Sequence, residues 1–340
     1  MASSERLAQL PHAKGRAWPY VRTTLLSLLA LAGFLIACGA TYQTVSTARD
    51  MDRFTPPGQL VDMGGYRLHL YCTGIYNPGD LTVVLESGLA STTSTWARIQ
   101  NEVSATSRVC SYDRGGMGWS DPSPVARDGA GIARELHDLL RRAGVTGGLL
   151  LVGHSSGGLY VRAYQAAYPA QVAGLVLIDG SSENDFSATP DGDLLYRKIR
   201  STYRLMPLAA RLGLIRMSML CDPPADFPGV ARMDFRATCS RSSSWAAQKL
   251  EVTELLPSME RLRKQPKLGD LPLVVITGGS NMKGWATRQK QLVSLSTRGI
   301  QLVRPQASPP GLLLNAEDAR YCSAAIQNLV SALTRPQTGS

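Results

Sequence analysis

A mostly parallel α/β sheet is the fold class this sequence predicts, and three observations predict it. From residue 59 onward, short apolar runs alternate with longer helical patterns, the rhythm of strands joined by crossover helices. The first two runs flank Gly64-Gly65, a two-residue hairpin signal, so the sheet opens antiparallel before it runs parallel. One stretch of about 90 residues then breaks the rhythm. It is too long for an ordinary crossover and reads as a helical lid inserted above one edge of the sheet. With 340 residues, 44% hydrophobic and 18% charged, the chain can bury a sizeable core, and disorder, collagen, coiled coil and a multi-span membrane protein are excluded.

Taken in order, residues 23–40 form an uncharged apolar run, with Trp18 and Tyr20 just upstream where interfacial aromatics sit. Arg6, Lys14, Arg16 and Arg22 precede it, whereas the first charges after it, Arg49, Asp50, Asp52 and Arg53, cancel. The positive-inside rule makes 1–22 a cytoplasmic tail and 23–41 a transmembrane signal anchor, with the rest of the chain outside the cytoplasm. A lipoprotein anchored at Cys38, in Leu35-Ile36-Ala37-Cys38, is the alternative. A linker, 42–58, ends at the Pro-rich turn Pro56-Pro57-Gly58. The sheet core covers 59–182 and resumes over 269–335, with the lid over 183–268 between them.

Eight strands are expected, at 59–63, 66–72, 81–86, 108–112, 149–153, 173–179, 271–277 and 300–303. Ile132, Leu136, Leu139, Leu140 and Ala143 share one helical face, between a start at Asp128 and a stop at Gly144. Within the lid, 193–205 and 245–264 read as helices.

The net charge of +10 is spread along the chain without a basic run, which argues against a nucleic-acid partner. Neither GxxxxGK[ST] nor GxGxxG occurs, so nucleotide chemistry is disfavoured. Six cysteines without a CxxC pair, and no HExxH, give no reason to expect a metal or other cofactor. In an oxidising compartment Cys221 and Cys239 can close one Pro-rich loop, while Cys72 and Cys110, inside strand-like runs, read as small buried hydrophobes.

The chemistry-bearing motif is Gly153-His154-Ser155-Ser156-Gly157, a GxSxG pattern. Alone it is weak, since a plain Gly-rich turn fits it too. Its position strengthens it, because 149–152 reads as a buried strand and 156–168 as a helix rich in small residues, the setting of a nucleophile elbow. Two further segments, Glu86-Ser87-Gly88-Leu89 followed by Trp96, and Tyr112-Asp113-Arg114-Gly115-Gly116-Met117-Gly118-Trp119-Ser120, extend the match. Together these resemble the α/β-hydrolases over about residues 60–333, and most resemble membrane-anchored bacterial members, whose juncture also holds a short span, a YQ linker and a PPG turn.

The resemblance implies an eight-stranded α/β-hydrolase sheet and a serine hydrolase of small apolar esters or amides. It makes Ser155 the nucleophile and the amides of Leu89 and Ser156 the oxyanion hole. The acid after the seventh strand is missing, because Asn281 stands there, so Asp179 after the sixth becomes the candidate, with a bland reading as a strand-end turn residue beside it. The family's histidine after the eighth strand is missing as well: Pro310 holds the position, and no histidine follows His154. His12, His69 and His137 read as bystanders, and the side chain of His154 should diverge from its neighbour's hydroxyl. Lys283 is the one conceivable substitute base. Three readings stay open: a serine hydrolase with impaired catalysis, a catalytically silent fold that binds a ligand or protein, and a sequence error across 300–325 that would restore the first.

Overall fold

The computed structural model describes residues 17–75, 77, 79–186, 190–280 and 282–335. His12, Asn281 and most of the expected tail lie outside the described residues.

Helix α1 (Ala17–Arg53) contains the apolar run and is long and apolar enough to cross a membrane. It continues through residues 42–53, which the sequence reading assigned to a linker. No proline or glycine interrupts those residues, and they find a surface to pack on, as described below.

Eight strands follow: β1 (Gln59–Asp62), β2 (Arg67–Thr73), β3 (Thr82–Glu86), β4 (Arg108–Tyr112), β5 (Leu149–His154), β6 (Val172–Ile178), β7 (Leu273–Gly278) and β8 (Gly299–Arg304). They form one sheet in the order β1-β2-β4-β3-β5-β6-β7-β8. The pairs β1·β2 and β2·β4 are antiparallel and all others parallel; the first of these is the Gly64-Gly65 hairpin. Both of those glycines sit at positive φ, 87° and 105°. The central strands are covered on both faces, which explains why they read as unbroken apolar runs rather than as alternating ones.

One face carries α3 (Gly129–Arg142), α4 (Gly157–Ala167) and Leu292; the other carries α2 (Ala97–Val103) and the last two helices, through Leu312, Leu313, Cys322 and Ile326. The start of α3 is the expected one, with the Asp128 carboxylate accepting the Gly131 amide at 2.7 Å, and Gly144 lies just beyond its end at φ 65°. Between β6 and β7 the chain builds α5 (Pro190–Arg211), α6 (Leu214–Met217), α7 (Gly229–Cys239) and α8 (Ser242–Arg263). The longest two pack on α4 through Tyr160, Tyr196, Leu255 and Met259. After β7 come α9 (Trp285–Val293), α10 (Gly311–Leu314) and α11 (Ala316–Thr334).

Two disulfides are present. Cys221–Cys239 ties the end of α7 to the turn after α6. The other, Cys72–Cys110, corrects the sequence reading of two buried hydrophobes: the antiparallel register of β2 and β4 sets these residues directly opposite each other. That register depends on a pairing 38 residues apart, which no local pattern announces.

Candidate active site

The turn between β5 and α4 holds Ser155 in the left-handed region at φ 52°, a conformation that non-glycine residues adopt at a cost of about 1–3 kcal/mol. Its backbone is fixed from three sides. Its amide donates to the Ile178 carbonyl at 3.1 Å, and its carbonyl accepts from Gly158 at 3.0 Å and Ser181 at 2.9 Å. The small residues around it are obligatory: a Cβ on Gly153 would stand 2.6 Å from the Gly157 carbonyl, and one on Gly157 2.8 Å from the Ser87 carbonyl.

The loop after β3 passes close over this turn. A Cβ on Gly88 would lie 3.0 Å from the Ser155 Cβ, so the Gly88–Leu89 peptide borders the serine side chain. Among the described residues, neither the Leu89 nor the Ser156 amide has a protein acceptor. Two free N–H groups beside one serine hydroxyl are what an oxyanion-binding site needs.

Arg114, which follows β4, is almost fully buried and locks that loop. Its guanidinium donates to the Ser87 carbonyl at 2.6 Å and to the Gly88 carbonyl at 3.0 Å. It also pairs with Glu86 at 2.6 Å and grips Glu251 of α8 with two bonds, 2.7 and 2.9 Å. Because Gly88 C=O and Leu89 N–H share one rigid peptide plane, holding the carbonyl aims the amide the opposite way. Burial pushes the Glu86 carboxyl up to about 6, against the pull of Arg114 and a hydrogen bond from Tyr112. Trp96 completes the loop's support, its indole N–H donating to Ser87 Oγ at 2.9 Å.

The other side of the site is built differently. Asp179 directly follows β6 at φ 48°, buried, and its Oδ1 accepts the Gly278 amide at 2.9 Å. Burial raises its pKa to about 6 and the charge of Asp185 adds to the rise, because the Gly278 amide and the Trp285 indole do not repay the lost hydration. The loop after β8 folds over this strand end, with the Ala307 carbonyl accepting the Gly279 amide at 2.8 Å. Pro310 stands at the start of α10 at φ −68°, exposed, and can neither accept nor donate a proton.

His154 turns away from Ser155, as expected: its Nε2 bonds the Pro309 carbonyl at 3.0 Å and its ring stands edge-on to Trp96. A carbonyl only accepts, so Nε2 carries the hydrogen and Nδ1 is bare and unpartnered. Burial takes its pKa down to about 4, so the imidazole is neutral and cross-links the elbow to the loop where the family's histidine sits. Lys283 is exposed and has no hydrogen bond to Ser155.

Sequence reasoning missed two groups. His69 was read as a plain strand residue, yet its Nδ1 pairs with buried Asp113 at 2.8 Å. Burial disfavours the imidazolium, but the bond to Asp113 outweighs it and raises the His69 pKa; Asp113 is lowered, its own burial being outweighed by His69 and by the Thr93 and Trp119 amides. Glu251 was read only as part of a helical stretch. Its burial opposite Arg114 had no local signal, although a glutamate at a core-facing helix position is one worth testing.

Comparison with known proteins agrees with this architecture. A family model described as alpha/beta hydrolase fold matches residues 82–291. An uncharacterized protein of Schizosaccharomyces pombe is 30% identical over 287 residues, covering 72% of this chain, and the chain spans only half of that protein's length. Among solved structures, an esterase from Thermogutta terrifontis superposes with a TM-score of 0.60 at 19% identity, covering 81% of this chain and 98% of the esterase. The epoxide hydrolase CorEH superposes with a TM-score of 0.61 at 15% identity, covering 81% and 98%. At such identities the likeness is one of fold.

Proposed function

The chain belongs to the alpha/beta hydrolase fold family, and from that premise we propose that it is a serine hydrolase of small apolar carboxylic esters or amides whose turnover is impaired. Ser155 is the nucleophile: its Oγ attacks the carbonyl carbon, the leaving alcohol or amine departs with a proton, and water then releases the acid from the acyl-enzyme. The Leu89 and Ser156 amides receive the oxyanion, and Asp179 is the acid of the set. What supports the reading is Ser155 itself, held at φ 52° against the Gly88–Leu89 peptide, strain that a plain turn does not need. The impairment follows from Pro310. With no base to take the Oγ proton, an alcohol near neutral pH is a weak nucleophile, and loss of one member of a working triad costs on the order of 10⁴ to 10⁶ in kcat.

Fluorophosphonate labelling tests this. The wild type reacts barely above Ser155→Ala, Pro310→His raises labelling, and Asp179→Asn in that background lowers it again. Strong, Ser155-dependent labelling of the unaltered chain would overturn the impairment. Failure of Pro310→His to raise labelling, in a chain that still folds, favours the second reading, a silent fold that binds an apolar ligand or a protein. Buried Asp179, with a backbone amide but no ion pair among the described residues, is the observation behind that second reading.

In either case α5 to α8 act as the lid, and α1 is a single-pass anchor with the domain outside the cytoplasm. Two disulfides support the exported side, since such bonds persist in oxidising compartments. A reporter fused after Ser340 that is active only in the cytoplasm would refute this topology. Cys38→Ala separates the anchor from a lipoprotein, because only the lipoprotein loses an acyl group.

A further inference from the structure

Helix α1 is packed onto the insertion. Gly39 approaches the Leu212 carbonyl so closely that a Cβ would stand 2.5 Å from it, and the Tyr42 ring covers Gly213. One turn later the Gln43 amide donates to the Ser240 carbonyl at 2.8 Å, and Arg216 pairs with Asp50 at 2.5 Å. Between the two lies an apolar groove of about 500 Å³, with Leu35, Ile36 and Tyr42 on one wall and Leu212, Leu214 and Met217 on the other.

The depth of that groove follows from helix geometry. At about 1.5 Å per residue the uncharged run 23–40 is about 27 Å long, close to the thickness of a bilayer's hydrocarbon. Leu35 and Ile36 therefore sit roughly 6–8 Å inside its end. If α1 spans, the facing wall meets it at the end of the apolar run, where Leu212 touches Gly39 and Gly213 touches Tyr42, so Leu214 and Met217 border the headgroup boundary.

The surface around them suits that position. Leu205, Leu208, Leu214, Met217, Met219 and Leu220 are all exposed, Met219 to 84%, on a stretch of only 16 residues from 205 to 220. Earlier on α5, Arg197, Arg200 and Arg204 line a basic groove of about 520 Å³ with Lys249 of α8, and Arg204 shares a helix face with Leu208, four residues on. Arg197 is paired with Asp193, whereas Arg200, Arg204 and Lys249 have no ion pair among the described residues. Apolar side chains beside unneutralised cations on one face are the pattern of an element lying in a lipid headgroup layer.

We propose that residues 205–220 form a second membrane contact, a wedge seated in the leaflet from which α1 emerges, with Arg200, Arg204 and Lys249 on anionic headgroups. The inference rests on the reading of α1 as a membrane span, and it makes the edge of the lid part of the bilayer surface.

The full chain, reconstituted in phosphatidylcholine and phosphatidylglycerol vesicles with a diazirine-bearing phospholipid, tests it by peptide mapping after irradiation. Label is expected on α1 and on the peptide covering 205–220. The exposed triple variant Leu208→Glu, Met217→Glu, Met219→Glu, with unchanged thermal unfolding, loses the second label and keeps the first. Label on α1 with none on wild-type 205–220 overturns the wedge and leaves the anchor standing; no label on α1 overturns the anchor. Cross-linking of 205–220 to a second copy of the chain in place of lipid also overturns the wedge. Arg200→Glu with Arg204→Glu is expected to reduce the 205–220 label and spare α1; an unchanged label would refute the headgroup contact.

Discussion

The two halves of the candidate site are built to different standards. On the Ser155 side, a strained serine, obligatory glycines and a buried arginine with two carboxylates hold the Gly88–Leu89 peptide. On the opposite side, a buried aspartate accepts one backbone amide, and an exposed proline stands where the sequence resemblance expects an imidazole. A desolvated carboxylate is worth holding when a cation forms beside it during catalysis. Here the cost of burial persists without such a cation among the described residues, so under the proposed reading the loop after β8 is where turnover is limited.

The strongest way to break the nucleophile half is Arg114→Met. It strands Glu86 and Glu251 in the interior and should cost about 3–5 kcal/mol in urea unfolding, much of it regained when Glu86→Gln and Glu251→Gln are added. Should the single variant unfold like wild type, the loop is held by something other than this cluster.

On the other half the sign reverses. Asp179 has a folded pKa of about 6, above that of an unfolded aspartate, so the folded state binds the extra proton and wild-type stability falls as the pH rises from about 4 to about 6. Asp179→Asn should therefore stabilise the fold by about 2–3 kcal/mol at pH 8, with the gain vanishing at pH 4. A loss of stability at pH 8 would mean that the Gly278 hydrogen bond outweighs the charge. Gly88→Ala is a smaller perturbation, about 1–2 kcal/mol, because its new methyl meets the Ser155 Cβ at 3.0 Å; residual probe labelling should fall with it. Smallest of all is Pro310→Ala, an exposed change expected to move stability by less than about 0.5 kcal/mol and labelling not at all. A measurable rise in labelling would show that the proline blocks a base rather than merely replacing one.

Legibility of the molecule followed the range of the interactions involved. Strand β5 and helix α4 were readable because Leu149 to Val152 and the glycines after them each report a local demand. Strand ends came within two residues, since hydrogen bonding at the edges depends on neighbours far away in the chain. Cys72 and Cys110 look alike as core residues and as a bridge, and only the β2–β4 register separates the two. The same holds for His69 and Asp113, and for Arg114, whose ion-pair partner Glu251 lies 137 residues away. That no histidine follows His154 in the sequence was legible because it needs no geometry.

The continuous helix between the apolar run and β1 has one more consequence. A dozen residues of flexible chain would let the domain wander over about 20 Å and turn through every rotation. Instead, Gly39, Gln43 and Asp50 fasten α1 to the insertion, so the domain rides on a mast with its heading set. Whatever surface holds the mast, the side of the domain turned toward it is the same in every copy. Tilt and height are then set during folding, and only the spin about the mast stays free.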